Sequence, residues 1–224
     1  QNGKASNPLH FDPEDCYIQP KLDGTRGMAY LGEDNETHIT SRTGKENVYL
    51  TEIKQKIKEK LLSSPKHTKC ILDGEFYVHT ILDENNNPMD APDRFRIISG
   101  SCRSKRNCPS EYENLIEFHI FDIINPDNTT ATFKERHEFL LELFSDDTEN
   151  KKLAVVDTKM LSCPTKLELL NLRDEFVKNR YEGAILRDKT GVYTNKRTPK
   201  LLKMKKEYDA EFKIVGAKSG EGTE

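Results

Sequence analysis

Residues 19–27 read QPKLDGTRG, and this is the most informative stretch of the chain. It places Lys21 between a proline and a glycine turn, with the carboxylate of Asp23 and the guanidinium of Arg26 close by in sequence. A lysine amine is nucleophilic only after it loses its proton, and nearby cations or removal from water lower the pKa of lysine far enough for that. The stretch therefore indicates either a nucleophilic lysine beside the charge of Arg26 or an ordinary polar turn.

Two strand-like runs further along the chain each carry a polar face. In residues 71–78 the alternation of a β-strand gives Asp73 and Glu75 the same face, opposite the apolar side chains. In residues 116–124 the same alternation places Phe121 on the polar face. An aromatic ring on that face either stacks on a flat base or packs as a half-buried residue.

The end of the chain is locally basic although the net charge is -3. Residues 189–206 contain seven basic residues and no acidic one. Within this segment an extended chain projects Lys203 and Lys205 in the same direction, about 7 Å apart. Such a pair favours an anion such as a triphosphate between the two ammonium groups, and a solvated surface is the alternative. Glu182, which precedes the strand-like run 184–187, is either a further site carboxylate or part of a simple turn.

Composition and periodicity predict one α+β domain. The 224 residues suffice for a substantial core, and no run approaches the roughly 20 apolar residues of a spanning helix. Five cysteines without a CxxC pair disfavour a disulfide framework or a zinc knuckle. Helical spacing begins at Thr51 and after two capping-box sequences, which start at Thr132 and Thr165. Strand-like runs occupy residues 71–78, 116–124, 184–187, 200–205 and 210–215.

Taken in order, these segments resemble the nucleotidyltransferase domain of ATP-dependent DNA ligases, within the wider family of RNA ligases and mRNA capping enzymes. Residues 193–215 are similar to those of small viral and phage DNA ligases. The resemblance extends over residues 19–205 and consists of six motifs. They are Lys21-Leu22-Asp23-Gly24-Thr25-Arg26, Ser41-Arg42-Thr43-Gly44, Asp73-Gly74-Glu75, Phe121-Asp122, Glu182-Gly183 and Lys203-Met204-Lys205.

This resemblance implies an α+β nucleotidyltransferase fold (ATP-grasp-like), in which antiparallel sheets are flanked by helices and the nucleotide site lies between the sheets. It implies that residues 1–214 form the adenylation domain. Residues 215–224 would begin a linker to a C-terminal OB-fold domain that is missing from this chain. We expect a monomer that acts on nicked double-stranded DNA without a membrane. The expected location is intracellular: the cytoplasm, the nucleus or a viral replication site in a host cell.

The resemblance also implies a reaction. Lys21 attacks the α-phosphorus of ATP and expels pyrophosphate, and the resulting lysyl-AMP passes AMP to the 5′-phosphate of a nick, which the 3′-hydroxyl then seals. ATP and Mg²⁺ are the implied cofactors. The implied nucleotide-binding residues with a stated role are Gln19 (adenine amino group), Arg26 and Arg42 (ribose and phosphates), Glu75 (ribose hydroxyls), Phe121 (stacking on adenine), and Lys203 and Lys205 (α-phosphate region). Leu22 and Glu182 are also implied to bind the nucleotide. Glu182 and Glu75 are expected to hold the metal ion, and Lys196, Arg197 and Lys200 to contact nucleic acid.

Other functions stay open at this point. An RNA ligase or a capping guanylyltransferase shares the same motifs, and the nucleotide and the nucleic-acid acceptor distinguish these enzymes from a DNA ligase. A non-catalytic nucleic-acid-binding module is the alternative from another class. It would use residues 189–206 to follow phosphates.

Overall fold

The computed structural model describes residues 15–102, 108–145, 152–206 and 215–216. The expected strand at 210–215 and the expected domain boundary after residue 214 therefore lie almost wholly outside the described residues. The strands of the described part are β1 (Asp15–Lys21), β2 (Thr25–Leu31), β3 (Thr37–Ser41), β4 (Ile71–Tyr77), β5 (Glu117–Ile124), β6 (Leu153–Val155), β7 (Lys159–Ser162), β8 (Gly183–Asp188) and β9 (Leu201–Lys205). The helices are α1 (Thr51–Leu61), α2 (Ala91–Ser101), α3 (Phe133–Leu143) and α4 (Lys166–Lys178).

The strands form two sheets. The small sheet has the order β7-β1-β8-β9 and is antiparallel throughout. The large sheet has the order β3-β2-β4-β5-β6, in which only the β5–β6 pair is parallel. The predicted α+β class with antiparallel sheets is confirmed, apart from that one parallel pair.

Three helices form where the sequence predicts them. In α1, Ile53, Ile57 and Leu61 are buried at four-residue intervals. Helices α3 and α4 begin with complete capping boxes, in which the side chains of Thr132 and Thr165 accept the backbone N–H of the residue three positions later. Capping satisfies N–H groups that a helix start otherwise leaves without partners, so these helices begin at fixed residues.

Helix α2 and strands β1 to β3, β6 and β7 were not predicted. Helix α2 starts at a regular N-cap, because the side chain of Asp90 accepts a bond from the N–H of Asp93 at 3.0 Å. Its apolar pattern is weak, since Arg94 and Ser101 lie on its buried face beside Ile98. Strand β1 ends and β2 begins within the first motif, whose polar residues conceal the alternation of a strand, and β3 is only five residues long.

Each sheet buries one face against helices. On the small sheet, Ile18 and Leu186 pack with Phe176 of α4. On the large sheet, Leu72 and Phe118 belong to the core that also contains the buried face of α1. Alternation then turns the remaining side chains to the other face of each sheet, and these two faces meet. None of the described helices is both long and apolar enough to cross a membrane.

Candidate active site

The register of the small sheet brings the predicted nucleophile and two cations together. Lys21 pairs with Gly183 across β1 and β8, and Gly183 pairs with Lys205 across β8 and β9. The Lys21 Nζ donates to Glu182 Oε2, and the Lys205 Nζ contacts Glu182 Oε1. Lys203 lies two residues before Lys205 on the same face of β9. We call Lys21, Glu182, Lys203 and Lys205 the lysine cluster.

Two glycines permit this close arrangement. Gly183 has φ +153, and a Cβ there would lie 2.2 Å from the backbone oxygen of Met204 on β9. A Cβ on Gly24 would lie 2.2 Å from the backbone oxygen of Phe76 on β4. Both distances are shorter than any real contact, so the Asp23-Gly24 and Glu182-Gly183 sequences need glycine for backbone approach.

The charges of the lysine cluster perturb one another. Burial lowers the pKa of Lys203, and the charges of Lys21 and Lys205 lower it further. Burial acts to raise the pKa of Glu182, but hydrogen bonds and charges from Lys205 and Lys21 outweigh it and hold that pKa below its usual value. Burial and the charge of Glu182 raise the pKa of Asp23. Glu182 is therefore ionised at neutral pH and can bind cations.

Arg26 is bound to a carboxylate of the large sheet. Its Nε donates to Asp73 Oδ1 at 2.8 Å, and its Nη2 donates to Asp73 Oδ2 at 2.6 Å and to the hydroxyl of Tyr193 at 3.0 Å. The fork of Arg26 is therefore bound to a buried carboxylate, and the charge that it would supply beside Lys21 stays a prediction. Lys205 shares Glu182 with Lys21, and the charge of Lys21 acts on Lys203.

Glu75 lies on the large sheet beside the first motif. It pairs with Arg26 on β2 and with His119 on β5. Burial raises the pKa of Glu75 to about 7, opposed by the charge of Lys21 and a hydrogen bond from the N–H of Gly24. Lys21 acts electrostatically on Glu75 and bonds to Glu182, so both predicted metal-binding carboxylates lie near the nucleophile.

Phe121 lies at a β-bulge, and its ring contacts an arginine of each sheet. Asp73 pairs with Asp122 and Gly74 pairs with Ile120, so Phe121 is the extra residue on β5. A bulge bends a strand locally and redirects its side chains. The ring is half-buried, as predicted. The guanidinium carbon of Arg26 lies 6.0 Å from the ring centroid, and that of Arg187 lies 5.3 Å from it.

Gln19 and Leu22 are more deeply buried than their expected roles require. Gln19 is 1% exposed, its Nε2 donates to Thr158 Oγ1 at 2.9 Å, and its Oε1 accepts from Arg187 Nε at 2.9 Å. Both ends of the amide bind other side chains, and the contact with the adenine amino group stays a prediction. Leu22 belongs to the main hydrophobic core, which leaves only its backbone for a ligand.

The other predicted binding residues are at the surface. Arg42 is exposed and follows Ser41, which pairs with Gly27, so the register places Arg42 near Arg26 at one end of the large sheet. The connection between β8 and β9 carries the three predicted nucleic-acid contacts, all of them exposed: Lys196, Arg197 and Lys200. Nucleotide binding by Arg42 and nucleic-acid binding by the other three residues stay predictions.

The metal site would be formed by carboxylates from both sheets. Among the residues that the structure describes, no group of three or more His, Cys, Asp or Glu side chains is arranged to hold a metal ion. Glu182 and Glu75 supply carboxylate oxygens, the hard donors that Mg²⁺ prefers. Mg²⁺ commonly binds through one or two carboxylates together with substrate phosphates and water. The donor set therefore fits Mg²⁺ that enters with a phosphate ligand.

Several residues without a predicted role hold the site in place. Arg94 of α2 donates to the backbone oxygens of His79 at 2.8 Å and Arg180 at 3.3 Å, which ties the end of β4 to the turn before Glu182. The sequence did not indicate a role for Arg94, because helix α2 itself was not predicted. Asp73 and Asp122 were quoted within motifs, but only the structure shows their arginine partners.

Comparisons with known proteins agree with this geometry. Residues 5–205 match the family model for the ATP dependent DNA ligase domain. The chain is 28% identical over 213 residues to a DNA ligase of African swine fever virus (isolate Pig/Kenya/KEN-50/1950), which covers 93% of this chain and 46% of the relative. A DNA ligase of another isolate (Tick/Malawi/Lil 20-1/1983) is 28% identical over 215 residues, covering 94% of this chain and 46% of that protein. The chain thus spans about half the length of the curated relatives it matches.

Solved ligase structures share the fold. The structure named Pmar-Lig_PreS3 aligns with TM-score 0.71 and 21% identity over 89% of this chain and 44% of its own. The ATP-dependent DNA ligase from bacteriophage T7 in complex with ATP aligns with TM-score 0.62 and 16% identity, over 86% of this chain and 62% of its own. These likenesses confirm the predicted nucleotidyltransferase fold. With the family match over residues 5–205, they show that this chain belongs to the ATP-dependent DNA ligase domain family.

Proposed function

We propose that this chain is the adenylation core of an ATP-dependent DNA ligase. Lys21 Nζ loses its proton and bonds to the α-phosphorus of ATP, while the bond from that phosphorus to the bridging oxygen of pyrophosphate breaks. The product is a lysyl-AMP. The observation that carries this proposal is the position of the Lys21 amine between the two sheets, bonded to Glu182 beside the ammonium groups of Lys203 and Lys205.

The lysine cluster has the charges that phosphoryl transfer requires. Catalysis at phosphorus depends mainly on positioning and on cations that neutralise the charge on the phosphate oxygens. Lys203 and Lys205 supply such cations next to the nucleophile. Glu182, with Glu75 as the second carboxylate, would hold Mg²⁺, which supplies further neutralisation of the phosphates. Glu75 would also bind the ribose hydroxyls.

Phe121 and the arginines would bind the remainder of the nucleotide. The ring of Phe121 contacts Arg26 of the large sheet and Arg187 of the small sheet, and a ring between the sheets supports stacking on adenine. Arg26 and Arg42 lie at one end of the large sheet and would bind the ribose and phosphates. Leu22 would contribute backbone atoms.

The later steps would involve nicked double-stranded DNA. AMP passes from Lys21 to the 5′-phosphate, and the 3′-hydroxyl then displaces AMP to close the strand. Lys196, Arg197 and Lys200 are exposed cations that would bind DNA phosphates. We further propose that the protein acts as a monomer at an intracellular site of viral replication. In the whole protein, an OB-fold domain would follow residue 214.

Labelled ATP tests the first step. Incubation with Mg²⁺ and α-labelled ATP should leave label on the protein, whereas γ-labelled ATP should not, and Lys21→Ala should remove all label. Label from the γ-phosphate, or label that persists in Lys21→Ala, would contradict the proposal. Labelling by GTP instead of ATP would indicate a capping enzyme, and transfer to nicked RNA instead of nicked DNA would indicate an RNA ligase.

A single fluorophore tests the stacking of adenine. The chain contains no tryptophan, so Phe121→Trp introduces the only indole. In a Lys21→Ala background, which prevents chemistry, ATP and adenosine should both change the indole emission with saturation. Inorganic tripolyphosphate is the matched control and should leave the emission unchanged. An equal response to tripolyphosphate would mean that Phe121 does not stack on the base.

A further inference from the structure

Arg187 connects the two sheets at the site through two anchors. This residue of β8 is 7% exposed. Its Nε donates to Gln19 Oε1 at 2.9 Å, and its Nη1 donates to Asp122 Oδ2 at 2.8 Å. Gln19 lies two residues before Lys21 on β1, on the same face, and Asp122 directly follows Phe121 on β5. A guanidinium is planar and rigid, so it fixes the distance between the groups that it binds.

The guanidinium of Arg187 also packs on aromatic rings. Its carbon lies 5.3 Å from the centroid of Phe121 and 4.6 Å from that of Phe133 on α3. Cations are attracted to ring faces at such distances. Arg187 therefore restricts the orientation of Phe121 directly, in addition to holding the residue that follows it.

The bonds of Gln19 explain why an amide suits this position. Its Nε2 donates to Thr158 Oγ1 at 2.9 Å and to the backbone oxygen of Phe121 at 3.4 Å. The Thr158 hydroxyl donates its own proton to the backbone oxygen of Val156 at 2.7 Å, so Oγ1 is an acceptor for Gln19. A carboxylate has no proton to donate and would face two acceptors. The amide is needed because Arg187 requires an acceptor at one end and Thr158 a donor at the other.

Arg136 provides a comparison within the same cluster. It binds Asp122 from α3, with Nε to Oδ1 at 2.7 Å and Nη2 to Oδ2 at 3.0 Å. Its Nη1 donates to the backbone oxygens of Ala131 at 2.7 Å and Gly191 at 3.0 Å. Arg136 thus stabilises the same carboxylate, but these bonds do not reach Gln19. We call Gln19, Asp122, Arg136 and Arg187 the arginine cluster.

We propose that Arg187 is a positioning residue that fixes the spacing between the Lys21 amine and the ring of Phe121, with Gln19 and Asp122 as its anchors. This inference rests on the proposed adenylation reaction. Gln19 then acts through Arg187 and Thr158 instead of contacting the adenine amino group. A small misplacement of reacting groups slows a reaction by up to about 100-fold, so loss of one anchor should affect the rate of adenylate formation.

Single-turnover adenylation with α-labelled ATP tests the inference. Arg187→Lys keeps the charge but can bind only one anchor at a time, so the rate at saturating ATP should fall at least about tenfold. Gln19→Met should produce a similar fall. The double variant should be no slower than the slower single variant, because both changes break the same connection. Arg136→Lys is the matched control, and its rate should change by less than about twofold even if it unfolds at lower urea concentration.

Two results would overturn the inference. The first is a rate in the double variant that is lower than either single rate by the product of the two single effects. The second is that Arg187→Lys and Arg136→Lys both lose rate in proportion to their loss of stability. A change in ATP-over-GTP preference in Gln19→Met, with Arg187→Lys unaffected, would restore the adenine contact for Gln19.

A fluorescence measurement separates this inference from the proposed function. In the Phe121→Trp background without nucleotide, adding Arg187→Lys should shift the indole emission to longer wavelength, because the ring is no longer held. Adding Arg136→Lys should not shift it. An unshifted emission in both would refute the positioning of Phe121, whether or not the chain forms an adenylate. Absence of label in the unaltered chain would count against the proposed function alone.

Discussion

The lysine cluster and the arginine cluster lie two residues apart along β1 but are built differently. Side chains of the ion pairs in the lysine cluster are 15% to 55% exposed, whereas those in the arginine cluster are 1% to 9% exposed. Ammonium groups on flexible stems can exchange partners, while guanidinium forks hold fixed geometry. The difference indicates that the chain uses lysines where a substrate must displace an existing partner and arginines where a distance must stay constant.

The largest expected effect on stability belongs to the arginine cluster. Asp122→Ala leaves Arg136 and Arg187 buried without their shared carboxylate, and we expect a loss of about 3–5 kcal/mol in the free energy of unfolding. Glu182→Ala, in the half-exposed lysine cluster, should cost about 1 kcal/mol or less. Urea unfolding measures both. Equal losses of unfolding free energy would show that the two clusters contribute equally to stability.

For the rate of adenylate formation, we expect a large effect from the lysine cluster. Glu182→Ala removes the partner of Lys21 and Lys205, and adenylate formation should fall at least about 100-fold. Glu117→Ala is the control, because Glu117 is bonded to His119 at 2.8 Å and lies outside the lysine cluster. The rate of labelling from α-labelled ATP measures both variants. Similar losses in the two would contradict the assignment of Glu182.

Glu75 gives the site a pH dependence. Its pKa is about 7 in the folded chain because of burial, against 4.5 for a free side chain, so the folded state binds this proton more tightly. The contribution of protonated Glu75 to the free energy of unfolding is therefore complete below about pH 4.5. It is lost as the pH rises through about 7. The difference in unfolding free energy between the unaltered chain and Glu75→Gln, measured with a chelator present, should fall by on the order of 1–3 kcal/mol over that interval. A difference that grows with pH would show that Glu75 is ionised when folded.

The smallest effects should come from the helix caps that serve each cluster. Helix α3 carries Arg136, and α4 leads into the turn before Glu182. Thr132→Ala and Thr165→Ala each remove one capping box and should cost about 1 kcal/mol in urea unfolding. Neither change alters a contact of the lysine cluster, so labelling at saturating ATP should persist. A large loss of labelling in either variant would mean that the clusters depend on local helix stability.

The sequence predicted the parts of the site that depend on local alternation. Lys203 and Lys205 share a face of β9, and Glu75 shares a face of β4 with Asp73, because a strand fixes these directions within a few residues. The capping boxes at Thr132 and Thr165 were equally local and were confirmed.

The parts that the sequence did not predict depend on long-range register. Arg187 reaches Gln19 across 168 positions and Asp122 across 65, so no short window contains the connection. The bulge that directs Phe121 arises from pairing between β4 and β5. The partner of Arg26 also comes from the fold, because Asp73 lies 47 positions away in sequence. The role of Gln19 required the positions of Thr158 and Arg187.

The lysine cluster contains three lysines, so identification of the adenylated one tests the account most directly. The protein would be incubated with ATP and Mg²⁺, digested, and its peptides analysed by mass spectrometry for an added AMP group. We predict that the adduct is on Lys21 and is absent from Lys203 and Lys205. An adduct on Lys203 or Lys205, with Lys21 unmodified, would contradict the assignment of the nucleophile and with it the proposed function.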